Sequence, residues 1–289
     1  MPEKKKFNIG NIVFWLSFSF FFFFILFNIA EDLFDKEGIA EKLFPLPEES
    51  PPIDTVFCDK IINRLEWTSY EGRNFKIEYV LCSNDFEDSQ NFRNNMTVNN
   101  NNIGEYYHAI LTQDQMAMKK IVDAYRFIIR SQNLDYMEAA EMIVSSIQNI
   151  PYTLVINEPC PYRLGSTLFD GACEPLENMS GCCGNVMPIG CYSPLEYAAN
   201  LTGDCDTRAV FAHSILKALN YDVAIIVSHF EGHAMIALNT PFVPENGNVS
   251  AYVLDLQLNK YYMWELTSVW PFGSVSDKTH PETWEIVHK

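Results

Sequence analysis

The sequence predicts an α+β fold in which helices come first and an antiparallel sheet follows. Apolar residues recur at helical spacing over residues 113–132 and again over 135–147. Short apolar segments then predict four strands, at 223–228, 233–238, 251–256 and 261–266. This order is typical of an α+β domain, which we assign to residues 113–289.

Two further helix starts lie between these groups, and both have local signals. Ser193 precedes Pro194, a pair that favours an N-cap followed by the first helical turn. Gly203 interrupts the chain just before Cys205, and the apolar residues after Cys205 recur at helical spacing. We expect this second helix to pack against the sheet.

A small β module is predicted before the main domain, at residues 57–112. Apolar and polar residues alternate over 65–69 and over 75–81, as in half-buried strands. Glu71 and Gly72 lie between these two segments and predict a hairpin turn. The asparagine-rich residues 94–102 are expected to form a loop.

The first 56 residues predict attachment to a membrane. Residues 11–30 form an uncharged, phenylalanine-rich run, and roughly 20 such residues span a bilayer as a helix. Lysines before the run and acids after it predict a cytoplasmic N-terminus at 1–10 and an extracytoplasmic main domain, periplasmic or on the cell surface. Residues 31–56 are acidic and contain prolines, as expected of a stalk. A cleaved signal peptide is the alternative, although small residues for a cleavage site are scarce.

Charge and cysteine content narrow the possible partners. The net charge of -17 argues against a nucleic-acid partner, because the chain cannot neutralise a phosphate backbone. Eight cysteines in an exported chain indicate disulfides, and Cys58 is placed to pair with Cys82. A zinc site is an alternative for the crowded cysteines at 160–191, but their spacing lacks paired short ligand knuckles. We therefore predict no bound metal.

Cys205 is the candidate nucleophile. It stands between Asp204 and Asp206 at the expected first turn of a helix. Unsatisfied N–H groups and the positive end of the helix dipole favour the thiolate there, and the thiolate is the reactive form of cysteine. A structural disulfide partner is the alternative role for Cys205.

A cysteine nucleophile needs a base, and the base needs a group that holds its orientation. His233 is the candidate base, because it opens a predicted strand directly after a glycine and can face a helix N-terminus lying across the sheet. His229 closes the preceding strand and is expected to be exposed. Glu265 is the preferred orienting acid, since Trp264 and Thr267 flank it, and Asp255 is the alternative third member.

These segments resemble the transglutaminase-like superfamily, in the broad papain-like class. The resemblance is carried by Gly203-Asp204-Cys205-Asp206, by His233-Ala234-Met235 and by Glu265-Leu266-Thr267. Ser193-Pro194-Leu195-Glu196 and Ile150-Pro151-Tyr152 resemble bacterial transglutaminase-like cysteine proteinases, and the match covers roughly residues 135 to 268. Two positions depart from the family pattern: Met235 replaces a frequent tryptophan and Glu265 replaces the usual aspartate.

The resemblance implies a transglutaminase/papain-like domain that acts on peptide or protein amides without a cofactor. Cys205 would be the nucleophile, His233 the base and Glu265 the orienting acid. We expect hydrolysis rather than crosslinking, because an exported domain meets abundant water. The alternative is a catalytically inactive module that binds peptides or scaffolds an envelope assembly.

Overall fold

The computed structural model describes residues 58–97, 102–157, 183–186, 188–242, 252–254, 260–275 and 279–289. All of them belong to the second of two compact units, residues 47–289. The predicted cytoplasmic segment, membrane anchor and stalk at residues 1–56 lie outside the described residues. Among the residues that are described, no helix has the length and apolarity needed to cross a membrane.

A β-hairpin opens the described part of the chain. Strand β1 (Lys60–Thr68) pairs antiparallel with β2 (Asn74–Cys82), and the turn between them contains Gly72 at φ +82°. The predicted alternation is confirmed, because every second residue of β2 from Phe75 to Leu81 is buried. The predicted pairing of Cys58 with Cys82 is confirmed as a disulfide. The hairpin therefore presents one apolar face to the helices that follow.

The described residues form six α-helices: α1 Ser83–Asn94, α2 Ile103–Asp114, α3 Lys119–Ser131, α4 Tyr136–Gln148, α5 Pro194–Asn200 and α6 Cys205–Ala218. Helices α1 and α2 lie inside the range assigned to the β module, where the sequence analysis predicted no helix. The helix predicted over 113–132 instead begins at Lys119, and Met116, placed on its apolar side by the sequence, is 80% exposed.

Helices α4 and α5 both begin with a side-chain cap, and the one at α5 is the Ser193 cap that the sequence predicts. Asp135 caps α4, and its side chain and that of Glu138 bond reciprocally to each other's backbone N–H groups. Ser193 and Glu196 form the same capping box at the start of α5. Arg93 of α1 then forms a buried bidentate ion pair with Glu196, at 2.6 and 2.8 Å. This pair fixes α5, the helix that leads into the Cys205 segment.

The main sheet is antiparallel, as predicted. Its strands are β5 Asp222–Ser228, β6 His233–Asn239, β7 Tyr252–Leu254, β8 Lys260–Trp264 and β9 Glu285–His288, in the order β7-β8-β6-β5-β9. Strand β9 was not predicted. Two short strands, β3 Leu154–Ile156 and β4 Cys183–Asn185, form a separate parallel pair.

Helix α6 packs across β5 and β6 through a fully buried apolar core. Its buried residues include Val210, Ile215 and Leu216, and the facing strands bury Ile225 and Ile236 completely. Burial of each such side chain stabilises the fold by about 1.5–3 kcal/mol. The packing brings the first residue of α6 and the first residue of β6, Cys205 and His233, to the same end of the sheet.

Candidate active site

Cys205 is the first residue of α6, and the local sequence accounts for this position. Asp204 is the N-cap: one carboxylate oxygen accepts a hydrogen bond from Thr207 N at 3.3 Å, and the other accepts one from Val155 N at 3.2 Å. Gly203 is required by close packing, since a Cβ there would lie 2.5 Å from the Thr207 Cγ2 atom. Cys205 is 8% exposed and forms no disulfide.

His233 contacts both Glu265 and Cys205. Its Nε2 atom lies 3.0 Å from Glu265 Oε2 and 3.2 Å from Oε1, which leaves Nδ1 for the hydrogen bond with the Cys205 thiol. Burial lowers the pKa of His233, but the hydrogen bonds with Cys205 and Glu265 and the charge of Glu265 outweigh it and raise the pKa to about 11. The site therefore strongly favours a protonated imidazole.

Glu265 follows β8 directly and is held by its own turn. Its Oε1 atom accepts hydrogen bonds from Leu266 N at 2.8 Å, from Thr267 N at 3.0 Å and from Thr267 Oγ1 at 2.9 Å. Burial raises the pKa of Glu265, yet His233 and Thr267 together lower it below its usual value. The carboxylate thus stays ionised and fixed in front of the imidazole.

The structure contradicts the prediction of a lowered thiol pKa. Burial raises the pKa of Cys205, and the charges of Asp206 and Asp204 raise it further, although the hydrogen bond with His233 opposes them. Burial also raises the pKa of Asp206 and raises that of Asp204 to about 8, so the two acids oppose the effect of the helix N-terminus only when they are ionised. Thiolate formation at this site depends on His233 holding the proton.

Tyr152 is a site residue to which the sequence analysis gave no role. Cys205 N donates a hydrogen bond to the Tyr152 hydroxyl at 3.3 Å, and that hydroxyl also hydrogen-bonds the Cys205 side chain. Burial and the nearby charges of Cys205 and Asp204 raise the pKa of Tyr152, so its hydroxyl keeps its proton. The sequence feature that could have identified Tyr152 is its position two residues after Ile150, in a segment that resembles the transglutaminase-like superfamily.

Arg208 joins three segments of the site from the inside. It is fully buried, and its guanidinium donates to the carbonyl oxygens of Ile147, Ile150, Gly203 and Leu266 at 2.6–3.3 Å. The guanidinium also lies 5.2 Å from the centre of the Tyr152 ring. The sequence feature that could have identified Arg208 is a charged residue within an otherwise apolar helical pattern. Arg208 therefore ties the end of α4, the Cys205 turn and the Glu265 turn together.

The remaining candidates lie apart from this group. The His229 side chain is 79% exposed, as predicted. Asp255, the alternative acid, lies outside the described residues. Trp284 contacts His233 edge-on, with ring centres 5.9 Å apart, and is buried as expected of a packing residue. His108 lies on α2, within the range that the sequence assigns to the β module.

Comparison with known proteins adds no assignment. No protein-family model matches the chain, and neither a curated protein nor a solved structure does so. The chemistry of the site is therefore inferred from its own side chains.

Proposed function

We propose that this protein is a transglutaminase-like cysteine enzyme that hydrolyses peptide or protein amides. The observation that carries the proposal is the chain of contacts from Cys205 through His233 to Glu265. A nucleophile, a base and an acid that orients the base are the parts that cysteine catalysis needs. We further propose that residues 11–30 anchor this domain at the outer side of a membrane.

In the first step, Cys205 Sγ attacks the carbonyl carbon of the amide. His233 Nδ1 takes the thiol proton, and the negative charge passes to the carbonyl oxygen of the tetrahedral intermediate. Glu265 remains ionised and stabilises the imidazolium, which the raised pKa of His233 favours. When the C–N bond breaks, His233 returns the proton to the leaving amine and a thioester forms on Cys205.

The Cys205 N–H and the Tyr152 hydroxyl are the proposed donors to the oxyanion. The Tyr152 oxygen occupies the acceptor position in front of Cys205 N, where an oxyanion would bind. When a carbonyl oxygen displaces it, the protonated hydroxyl lies beside that oxygen and donates to it. Tyr152 thus supplies a second donor next to the backbone N–H.

Water completes the reaction. His233 accepts a proton from the water as its oxygen attacks the thioester carbon, the C–S bond breaks, and Cys205 is released together with the carboxylic acid. A primary amine in place of water would give a new amide, which is the crosslinking reaction. Comparing acid release with and without added amine distinguishes the two acceptors.

One observation favours the alternative, a catalytically inactive module. Cys205 is only 8% exposed, and burial together with two carboxylates raises its pKa. A thiol in such surroundings is unreactive unless a base accepts its proton. The dependence of Cys205 reactivity on His233 is therefore the property that separates an enzyme from a binding module.

Site-resolved alkylation with iodoacetamide tests this property. We expect Cys205 to react at neutral pH faster than Cys191, a free thiol that is completely buried, and His233→Ala to slow Cys205 by about 10²-fold or more. His229→Ala is the matched control and should change the rate far less, because the His229 side chain is exposed and lies beside Glu285 at the surface. Equal rates for Cys205 in wild type and His233→Ala would refute the proposal.

Tyr152→Phe tests the second oxyanion donor. Removing one such donor typically lowers a rate by about 10²–10³-fold. We expect a loss of this size in acylation by an activated ester, while alkylation of Cys205 by iodoacetamide, which forms no oxyanion, changes little. Tyr192→Phe, which removes the hydroxyl of a different, half-buried tyrosine, is the control. Equal losses in acylation and alkylation would assign Tyr152 to thiol positioning instead.

A further inference from the structure

A cavity lies toward the C-terminal end of α6, away from Cys205. It has a volume of about 530 Å³, and its walls come from α2, α3, α6 and β9. The side chains that matter here are basic or aromatic nitrogen groups: His108, Lys119, Arg126, His213, Lys217 and His288. Cys205 and His213 are eight residues apart on α6, a separation of about 12 Å along the helix. The proposed catalytic groups do not line this cavity.

Buried polar atoms with weak partners or none line this cavity. His213 is 3% exposed, and within the described part of the chain its ring makes only a weak hydrogen bond, with the backbone of Val223. The Nε atom of Arg126 is buried without a partner there. Buried polar side chains are normally hydrogen-bonded, because an unpartnered group loses its contacts with water and gains none in return. Two such groups line one cavity, where they are placed to donate to a bound ligand.

The charge around the cavity has one sign. Every titratable side chain that lines it among the described residues is basic, although the whole chain has 37 acids against 20 lysines and arginines. Arg126 Nη1 bonds Asp123 at 2.7 Å, and Lys289, which also lines the cavity, places its ammonium over the Tyr261 ring. Lys119 and Lys217 remain the exposed cations at the rim.

Three imidazoles lie close together on one wall of the cavity. The His288 ring lies 5.0 Å from that of His213 and 5.5 Å from that of His108, measured between ring centres. Burial, His288 and Lys217 lower the pKa of His213 to about 3, and burial, His108 and Lys217 lower that of His288. Positive charge is therefore disfavoured in the empty cavity, and a negative ligand would relieve it. The described residues contain no group arranged to hold a metal ion.

We propose that this cavity binds a small molecule through an oxyanion, either a phosphate or a carboxylate group. The lysines at the rim would supply charge, and the buried nitrogens of His213 and Arg126 would donate to the oxygens. The size of the cavity is that of a small-molecule site and exceeds that of a single ion. This binding is separate from the proposed amide hydrolysis and does not depend on it.

Calorimetric titration of the full chain with pyrophosphate and with succinate tests the proposal. We expect at least one of them to bind in the micromolar to millimolar range at low salt, and the preferred probe identifies the oxyanion. The double variant Lys119→Gln/Lys217→Gln should weaken binding roughly tenfold or more. Lys60→Gln/Lys76→Gln removes the same charge from the hairpin and should leave binding unchanged.

Nuclear magnetic resonance signals of the histidine side chains show where the probe binds. Bound probe should shift the signals of His213 and His288 and raise the pKa of His288, while the exposed His229 stays unchanged. These measurements do not require catalysis, so they test the cavity even if the protein does not hydrolyse amides. Absence of binding by both probes, equal binding by the two double variants, or shifts at His229 alone would overturn the proposal.

Discussion

The two ends of helix α6 differ in how their buried polar groups are satisfied. At the N-terminal end, Asp204, Arg208 and the nearby Glu265 are buried, and each has two or more hydrogen-bond donors or acceptors around it. Toward the C-terminal end, His213 is equally buried, and among the described residues its ring has only a weak hydrogen bond, with the backbone of Val223. The groups named at the first end are held by several bonds within the chain, whereas His213 at the other end is not.

This difference explains why the two ends suggest different functions. A network in which every member is bonded is rigid, and rigidity is what a reacting group needs for alignment. Unmet donors in a basic cavity instead favour a ligand that completes them. The contrast predicts that substitutions near Cys205 are costly and that substitution of His213 is not.

Glu265→Gln should have the largest effect. The new amide can donate to His233 Nε2 and hold the ring proton on Nδ1, where it faces the thiol and cannot accept a second proton. We expect acylation of Cys205 to fall by about 10²–10⁴-fold, since a wrong tautomer abolishes base catalysis. Rates of acylation by an activated ester measure this effect.

Glu265→Asp is the matched control for that substitution. It keeps the negative charge and introduces the residue usual in the family that the sequence resembles. A much smaller loss than in Glu265→Gln is expected. Equal losses would show that the length of the side chain, not the tautomer that it selects, is decisive.

Arg208→Leu should have the next largest effect, on stability. It removes a fully buried guanidinium that donates to four carbonyl oxygens, of which Gly203 O and Ile147 O keep a backbone donor. We expect the free energy of unfolding to fall by about 3 kcal/mol or more, as measured by urea denaturation. Arg64→Leu, on the exposed face of the hairpin, should change it little. A loss in Arg208→Leu no larger than in Arg64→Leu would contradict the role of Arg208.

The His233–Glu265 pair should give stability within a defined pH window. Because the pKa of His233 is raised, its contribution to stability is complete below pH 6.5 and is lost as the pH rises toward about 11. The lowered pKa of Glu265 makes its contribution complete above 4.5, with loss in more acidic solution. The difference in unfolding free energy between wild type and Glu265→Gln should therefore be largest between pH 4.5 and 6.5. A difference that is independent of pH would exclude this ion pair.

His213→Leu should have the smallest effect on the ligand-free protein. It removes two buried nitrogens that have at most a weak hydrogen bond with Val223 and replaces them with an apolar side chain of similar size. Such replacements are nearly neutral or stabilising by about 1 kcal/mol. Thermal unfolding in buffers without oxyanions measures the effect. A large destabilisation would mean that His213 has a structural role, and the contrast between the two ends of α6 would then fail.

The sequence predicts the parts of this fold that are determined locally. The start of α6 follows from Gly203 and the Asp204 cap, and the start of α5 follows from Ser193 and Pro194, because capping involves residues within one turn. The strands at 222–228 and 233–239 follow from two continuous apolar runs on either side of a glycine turn. The positions of Cys205 and His233 at one end of the sheet depend on these local features.

Contacts between distant segments account for what the sequence did not predict. Tyr152 reaches Cys205 because Thr153 N bonds Gly203 O and Val155 N bonds Asp204, across about fifty residues of chain. Strand β9 pairs with β5 from the far end of the chain, and its short sequence has no periodicity that identifies a strand. The raised pKa of Cys205 has the same origin, since burial is a property of the packed structure.

The central claim is that Cys205 accepts an acyl group with the help of His233. Intact-protein mass spectrometry after exposure to p-nitrophenyl acetate tests it most directly. We expect one acetyl group per chain, and peptide mapping should place it on Cys205. It should be absent in Cys205→Ala, strongly reduced in His233→Ala, and lost with time in water. An unmodified protein, or the same acetylation in wild type and Cys205→Ala, would contradict it.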